Sequence, residues 1–340
     1  MLNDLLLALK RPAAVRRVFD RMPPGFKSRV RRSLARVSRG PSPELQTARA
    51  ANLACRLLSL GLYEQAQAST RFQEPKRLLK HGFSVFSQHD EDGILEEIFR
   101  RVGTTDRFFV EFGASNGMEN CSTYMLLKGW RGVWIDGSAT AVETIQRNFG
   151  FAITDGRLRV RCAFLTAEGI EQTFDEMGVP EEFDFLSVDI DGNDYWVWQA
   201  IARFRPRVVA VEYNATWRDT AVCVVPYEPT RTWNHTSYYG ASLKALEELG
   251  RAKGYCLVGC NYTGVNAFFV RADLVEDHFA EPFTSENHYE PARYWIQMPS
   301  GHPPGVGPTV SPAATPAAVR VRAPAEPMRN GDSRDLAGVG

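Results

Sequence analysis

Acidic side chains recur in this chain directly after apolar runs, where a sheet would carry them to one edge. Phe108-Phe109-Val110 runs into Glu111 and then into Gly113-Ala114-Ser115-Asn116-Gly117, and Gly132-Val133-Trp134-Ile135 runs into Asp136. A third apolar run ends in Asp189, Asp191 and Asp194, and a fourth in Glu212, Tyr213 and Asn214. A buried strand entering a glycine turn lets backbone approach a ligand closely, and an acid ending the next strand can hold ribose hydroxyls. That pattern points to a nucleoside cofactor.

The later acids suit a second task. Asp189, Asp191, Asp194 and Glu212, with His235, are the bases available to take a proton from an alcohol. Crowding carboxylates raises the pKa of at least one; alternatively they hold Mg²⁺, which prefers oxygen ligands. Asp194 has a plainer role open to it, capping the helix that it begins. Tyr213, Asn214 and Trp217, followed by Trp233, His235, Tyr238 and Tyr239, supply aromatic and polar groups suited to a sugar or ring substrate.

Alternating elements must position these groups. The spacing predicts strands at 107–112, 132–136, 158–164, 183–190 and 207–213, with helices near 118–128, 140–148, 168–177 and 194–202 between them. Such alternation implies a parallel sheet covered on both faces. Helix 241–253 then precedes strands 254–259 and 265–271, joined by five residues. That is too short for a crossover, so these two strands are antiparallel. Capping boxes are expected at Ser87 with Asp90 and at Thr140 with Glu143.

The chain has 340 residues, 40 basic and 40 acidic, with 44% hydrophobic composition. It is long enough to bury one large core, and its balanced charge excludes a global field that would recruit nucleic acid. The expected organisation is a basic arm at 1–43, a helical extension at 44–82, a main domain at 83–298 and a Pro/Ala/Gly-rich disordered tail at 299–340. The first forty residues hold eleven Lys and Arg against Asp4 and Asp20. Leu5–Met22 is readable as an amphipathic helix that touches an anionic membrane, or as a solvated basic arm. Its apolar piece is too short to span a bilayer and lacks the flanks of a signal peptide. The six cysteines show no zinc or CxxC spacing, which fits reduced thiols in the cytoplasm. Cys256 and Cys260 are expected on one face of a strand.

VEFGASNG, Asp136, FLSVDIDGNDYW and GYCLVGCNYTGVNAFFV, with the SQ…ED segment Ser87–Asp92, together resemble class I S-adenosylmethionine-dependent methyltransferases of the FkbM type over about residues 84–275. The resemblance implies a Rossmann-like methyltransferase fold: a doubly wound, mostly parallel seven-stranded α/β sheet ending in an antiparallel hairpin. It also implies methyl transfer to a hydroxyl of a small metabolite or glycan. Gly113, Ser115 and Gly117 would form the turn under the methionine part of the cofactor, with Glu111 nearby. Asp136 would take the ribose diol, and Cys162 and Ala163 would neighbour the adenine. Asp189, Asp191, Gly192 and Asp194 match the family's acidic segment at the mouth of the fourth strand.

Three other functions compete. Gly113–Gly117 also fits the G-x-S-x-G turn of a serine hydrolase, with Asp189 and His235 following in the right chain order. That reading leaves Asp136 without a task. An NAD-dependent oxidoreductase would need G-x-G-x-x-G, which the turn lacks. A module that keeps the fold only to bind a partner is a third alternative.

Overall fold

The computed structural model describes residues 43–294. The segment Leu5–Met22 and the tail at 299–340 lie outside the described residues. Helices α1 (Pro43–Gln67) and α2 (Thr70–Gln73) lead to a 3₁₀ turn at Leu79–His81 and to α3 (Glu91–Val102). Strands and helices then alternate: β1 (Phe108–Phe112), α4 (Thr123–Leu127), β2 (Arg131–Asp136), α5 (Ala139–Asn148), α6 (Gly150–Thr154), β3 (Leu158–Cys162), α7 (Ile170–Glu176), β4 (Glu182–Val188), α8 (Asp194–Ala200) and β5 (Arg205–Glu212). Last come α9 (Leu243–Ala252), β6 (Tyr255–Cys260), β7 (Asn266–Arg271) and α10 (Ser285–His288).

The seven strands form one sheet in the order β3-β2-β1-β4-β5-β7-β6. The first five are parallel, and β7 runs antiparallel to both β5 and β6. This is the Rossmann-like, doubly wound sheet with a terminal hairpin that the sequence led us to expect. Central β1 is buried at every position, as a strand covered on both faces must be. One face packs Val110, Phe112, Val133, Ile135, Leu186 and Val209 under α7, α8 and α9. The other packs Phe109, Trp134, Phe185 and Phe268 under α3, α4 and α5.

Because the chain order reverses direction at β1, with β2 and β3 on one side and β4 and β5 on the other, a crevice opens beside the carboxyl end of β1. Buried Asp184 on β4 fixes the loop that leads into β1. Its carboxylate accepts N–H bonds from Thr105 (2.8 Å), Asp106 (3.1 Å) and Arg107 (2.6 Å).

Several local expectations are corrected. The helix read at 118–128 begins only at Thr123, since the amides of Cys121 and Ser122 are taken by Glu111. At α3 the expected Ser87–Asp90 box is absent. Asp92 instead accepts from the amides of Val85, Phe86 and Ser87, while Ser87 Oγ accepts from the amide of Asp92. Thr140 does not cap α5; Ser138 does, accepting from Ala141 at 3.2 Å. Cys256 and Cys260 lie on opposite faces, because a bulge between Leu257 and Gly259 inserts one residue and inverts the alternation. Both are free thiols, like the other four cysteines.

Candidate functional site

A cavity of about 780 Å³ fills the crevice. It gathers the loops after β1, β2, β3 and β4, and its volume suits a nucleoside-sized ligand. Glu111, Gly113, Ser115, Asp136, Ala163, Asp189 and Asp191 all line it.

The glycine turn is built by close approach. A Cβ on Gly113 would lie 1.8 Å from the carbonyl oxygen of Asp189, so only glycine lets the loops after β1 and β4 meet there. Gly113 has φ +66, and Ser115 follows in the left-handed region at φ +46. The amide of Ser115 donates to Asp136 Oδ2 at 2.7 Å, and the amide of Ser138 donates to Oδ1 at 2.7 Å. Each carboxylate oxygen keeps one further acceptor direction for a ligand hydroxyl. Gly117 does not reach the cavity. Its α-carbon is set against Phe149 and Trp134, and it supports the turn from behind.

Glu111 is buried and held by the amides of Cys121 (2.8 Å) and Ser122 (3.0 Å) and by the Ser122 hydroxyl. Burial pushes its pKa up to about 7, against the pull of those donors. After β3, Ala163 faces the cavity and Cys162 does not; its thiol turns toward the carbonyl of Gly137, 4.0 Å away. Phe164, half exposed, lines the cavity instead and packs on Gly137. The strand expected over 158–164 takes in Phe164, but β3 ends at Cys162 and leaves Phe164 in the loop.

The acids after β4 and β5 divide by environment. Asp189, Asp191 and Glu212 each offer an oxygen within 4.8 Å of the other two. Burial first, and then the neighbouring carboxylates, raise Asp189 and Glu212 well above the usual range. Asp191 is exposed and sits at φ +59. Its residue surface is open, but protein packed about the carboxyl desolvates it and, with Asp136, raises its pKa, while His235 pulls it down. Asp191, the exposed member of the trio and part of the cavity lining, is the carboxylate best placed to accept a proton. Glu212 Oε2 is buried with no hydrogen-bond partner, a donor arrangement that fits a hard cation shared with Asp189 and Asp191.

His235 is exposed, does not line the cavity and packs its ring 4.6 Å from that of Trp233, which does. The remaining candidates face inward. Asp194 is fully buried and accepts from the amides of Ile190 (2.7 Å) and Gly192 (2.9 Å), holding the acidic loop in shape. Tyr213 is fully buried and donates to the carbonyl of Glu290. Asn214 is buried, with its amide on the carbonyls of Ser237 and Tyr239. Trp217 is partly buried away from the cavity. These side chains shape the loop over the site without facing the cavity.

Gln88, Glu119, Asn120, Arg231 and Thr232 also line the cavity. Arg231 comes from a loop with no periodicity to mark it. No hydrogen bond joins Ser115 to a histidine among the described residues, so the turn lacks the base that a serine nucleophile requires. Five of the lining side chains are carboxylic acids and one is a guanidinium, a balance suited to a cationic ligand.

No protein-family model matches the chain, and no curated protein matches it. Similar solved structures include a putative O-methyltransferase from Klebsiella pneumoniae, 14% identical, covering 55% of this chain and 72% of that one with a TM-score of 0.30. An O-methyltransferase from Bacillus cereus in complex with SAH is 18% identical, covering 64% and 89% with a TM-score of 0.34. The cyclase SpnF is 13% identical, covering 60% and 74% with a TM-score of 0.32. Likenesses this loose carry no activity across to this chain.

Proposed function

We propose that the chain is an S-adenosylmethionine-dependent methyltransferase acting on a hydroxyl of a glycan or small metabolite. The observation that carries this reading is the convergence of the Gly113–Ser115 turn, Asp136, the Ala163–Phe164 loop and the Asp189–Asp191 acids on one acid-rich cavity of about 780 Å³. The turn would carry the methionine part, Asp136 the ribose diol and Phe164 the adenine face. The carboxylates would favour the sulfonium and ammonium charges. With the donor bound, Asp191 would take the acceptor's hydroxyl proton as the methyl group passes from sulfur to that oxygen and S-adenosylhomocysteine leaves. Alignment of donor and acceptor supplies roughly 7–11 kcal/mol of the barrier reduction, so little covalent help is needed.

The orphaned Glu212 Oε2 supports a second version of the site, in which Asp189, Asp191 and Glu212 hold Mg²⁺. A metal there would lower the pKa of the bound acceptor hydroxyl.

Titration calorimetry with S-adenosylmethionine and S-adenosylhomocysteine tests the cofactor. Saturable one-to-one binding is expected, and no heat with either ligand would remove the proposal. Mass spectrometry of extract glycans and metabolites, seeking a gain of one methyl, then tests turnover. Binding without turnover would instead favour a non-catalytic module. Loss of turnover in EDTA with recovery in Mg²⁺ would select the metal version.

A further inference from the structure

At the end of the sheet opposite the cofactor cavity, a second cavity of about 280 Å³ opens between the first residues of β1, β2 and β3 and the turn after α7. Phe108, Arg131, Arg157, Arg159, Gly178 and Pro180 are among the residues that line it. No acidic side chain lines it.

The register explains the gathering. Phe108 is paired with Arg131, and Val133, two residues along β2, with Arg159. Side chains two apart share a face, so Arg131 and Arg159 project on the side of Phe108. Both guanidiniums stand over its ring, 5.4 and 5.7 Å from the centroid.

The three cations are not equally engaged. Asp155 takes both Nε and Nη2 of Arg157. Asp106 reaches Arg131 at 3.2 Å across a half-exposed pair. Arg159 is exposed and, among the described residues, has no carboxylate partner and makes one long contact, 3.3 Å, to the carbonyl of Gly178. Desolvation, and after it the Arg131 guanidinium, hold the Arg159 pKa below its ordinary value, as expected of a cation facing a like charge. Farther along the same strand, Arg161 is paired with Glu176 at 2.7 Å and lies outside the cavity. A cation crowded by another cation and left without an anion, in a cavity of this size, is arranged to receive one.

We propose that Arg131 and Arg159 form an anion site for a phosphate group, separate from the cofactor cavity and independent of the methyltransferase reading. Arg159 supplies a guanidinium whose single hydrogen bond is the long one to Gly178, and Arg131 turns part of its own from Asp106.

Inorganic phosphate titrated into the full chain and followed by calorimetry tests the site. Saturable binding is expected, weakened roughly tenfold by Arg159→Gln, the scale of a lost charge-assisted hydrogen bond. Arg161→Gln, the matched loss of charge on the same strand, should leave it unchanged. Sedimentation with phosphatidylcholine vesicles containing phosphatidic acid separates two sources of the group. Vesicle binding lost in Arg159→Gln identifies a lipid headgroup, and phosphate binding without vesicle binding identifies a soluble phosphorylated ligand. Absence of saturable phosphate binding, or equal weakening by Arg161→Gln, overturns the proposal.

Discussion

Asp136 shows how much a single side chain can be asked to do. Its two oxygens already order the turns on either side, through the amides of Ser115 and Ser138, and their remaining lone pairs face the cavity. Asp136→Ala is therefore expected to weaken S-adenosylmethionine binding by roughly 1.5–3 kcal/mol, and unchanged calorimetry would remove it from the site. Asp191 lies in the same cavity with a different task. Exposed beside two more deeply set acids, it should affect chemistry more than affinity. For Asp191→Asn, kcat should fall much further than cofactor affinity, and equal losses would leave Asp191 with only a supporting role. Phe164→Ala tests the aromatic that the sequence did not single out. About a three- to tenfold rise in the Kd for S-adenosylmethionine is expected, the scale of one lost ring contact.

At the level of elements, the site depends on the carboxyl ends of β1 and β4 touching at Gly113. Its φ of +66 and the 1.8 Å that would separate a Cβ from the Asp189 carbonyl mean that Gly113→Ala must push these strand ends apart. The melting temperature and cofactor binding should fall together; a variant that binds normally would show that the contact is dispensable. At the other end of the same strands, Asp184 gathers three successive amides of the loop entering β1 and pairs with Arg207 at 3.4 Å. Asp184→Ala strands those donors in the interior and should cost about 3 kcal/mol or more in denaturant unfolding.

Across the whole molecule, buried acids set the response to pH. Burial pushes Glu111 and Asp90 up to about 7 and Asp194 up to about 6. Each holds its proton in the folded protein at pH values where the unfolded chain has already released it. Their contribution to stability is thus complete below the unfolded values and is lost as pH rises through the folded ones. Glu97, held down at about 2 by Arg100 and Arg101, acts in the opposite sense, but its gain is finished by about pH 5. Buried His288, held down at about 3 by desolvation, opposes the acids until the unfolded imidazole is neutral, above about pH 6.5. The ligand-free melting temperature should therefore fall between about pH 6.5 and about pH 8, and a flat or rising profile there would contradict these assignments. A bound sulfonium favours the ionised acids, so stabilisation by S-adenosylmethionine should be larger at the alkaline end of that range.

The sequence by itself determined the layers and the side of the sheet that carries chemistry. Apolar runs ending in Glu111, Asp136, Asp189 and Glu212 state both where strands stop and which edge is acidic. The five-residue link between β6 and β7 permits only a hairpin. Those signals are local, set by periodicity and loop length. Tertiary structure decided what local pattern cannot encode. Asp194 follows cavity-lining Asn193, and Tyr213 and Asn214 follow Glu212 of the acidic trio, but all three spend their polar atoms on the protein itself. Phe164 faces the cavity while Cys162, two residues earlier, turns away, and one inserted residue in β6 separates Cys256 from Cys260. Whether a polar group serves a ligand or its own backbone depends on which distant segment reaches it first, and only packing fixes that.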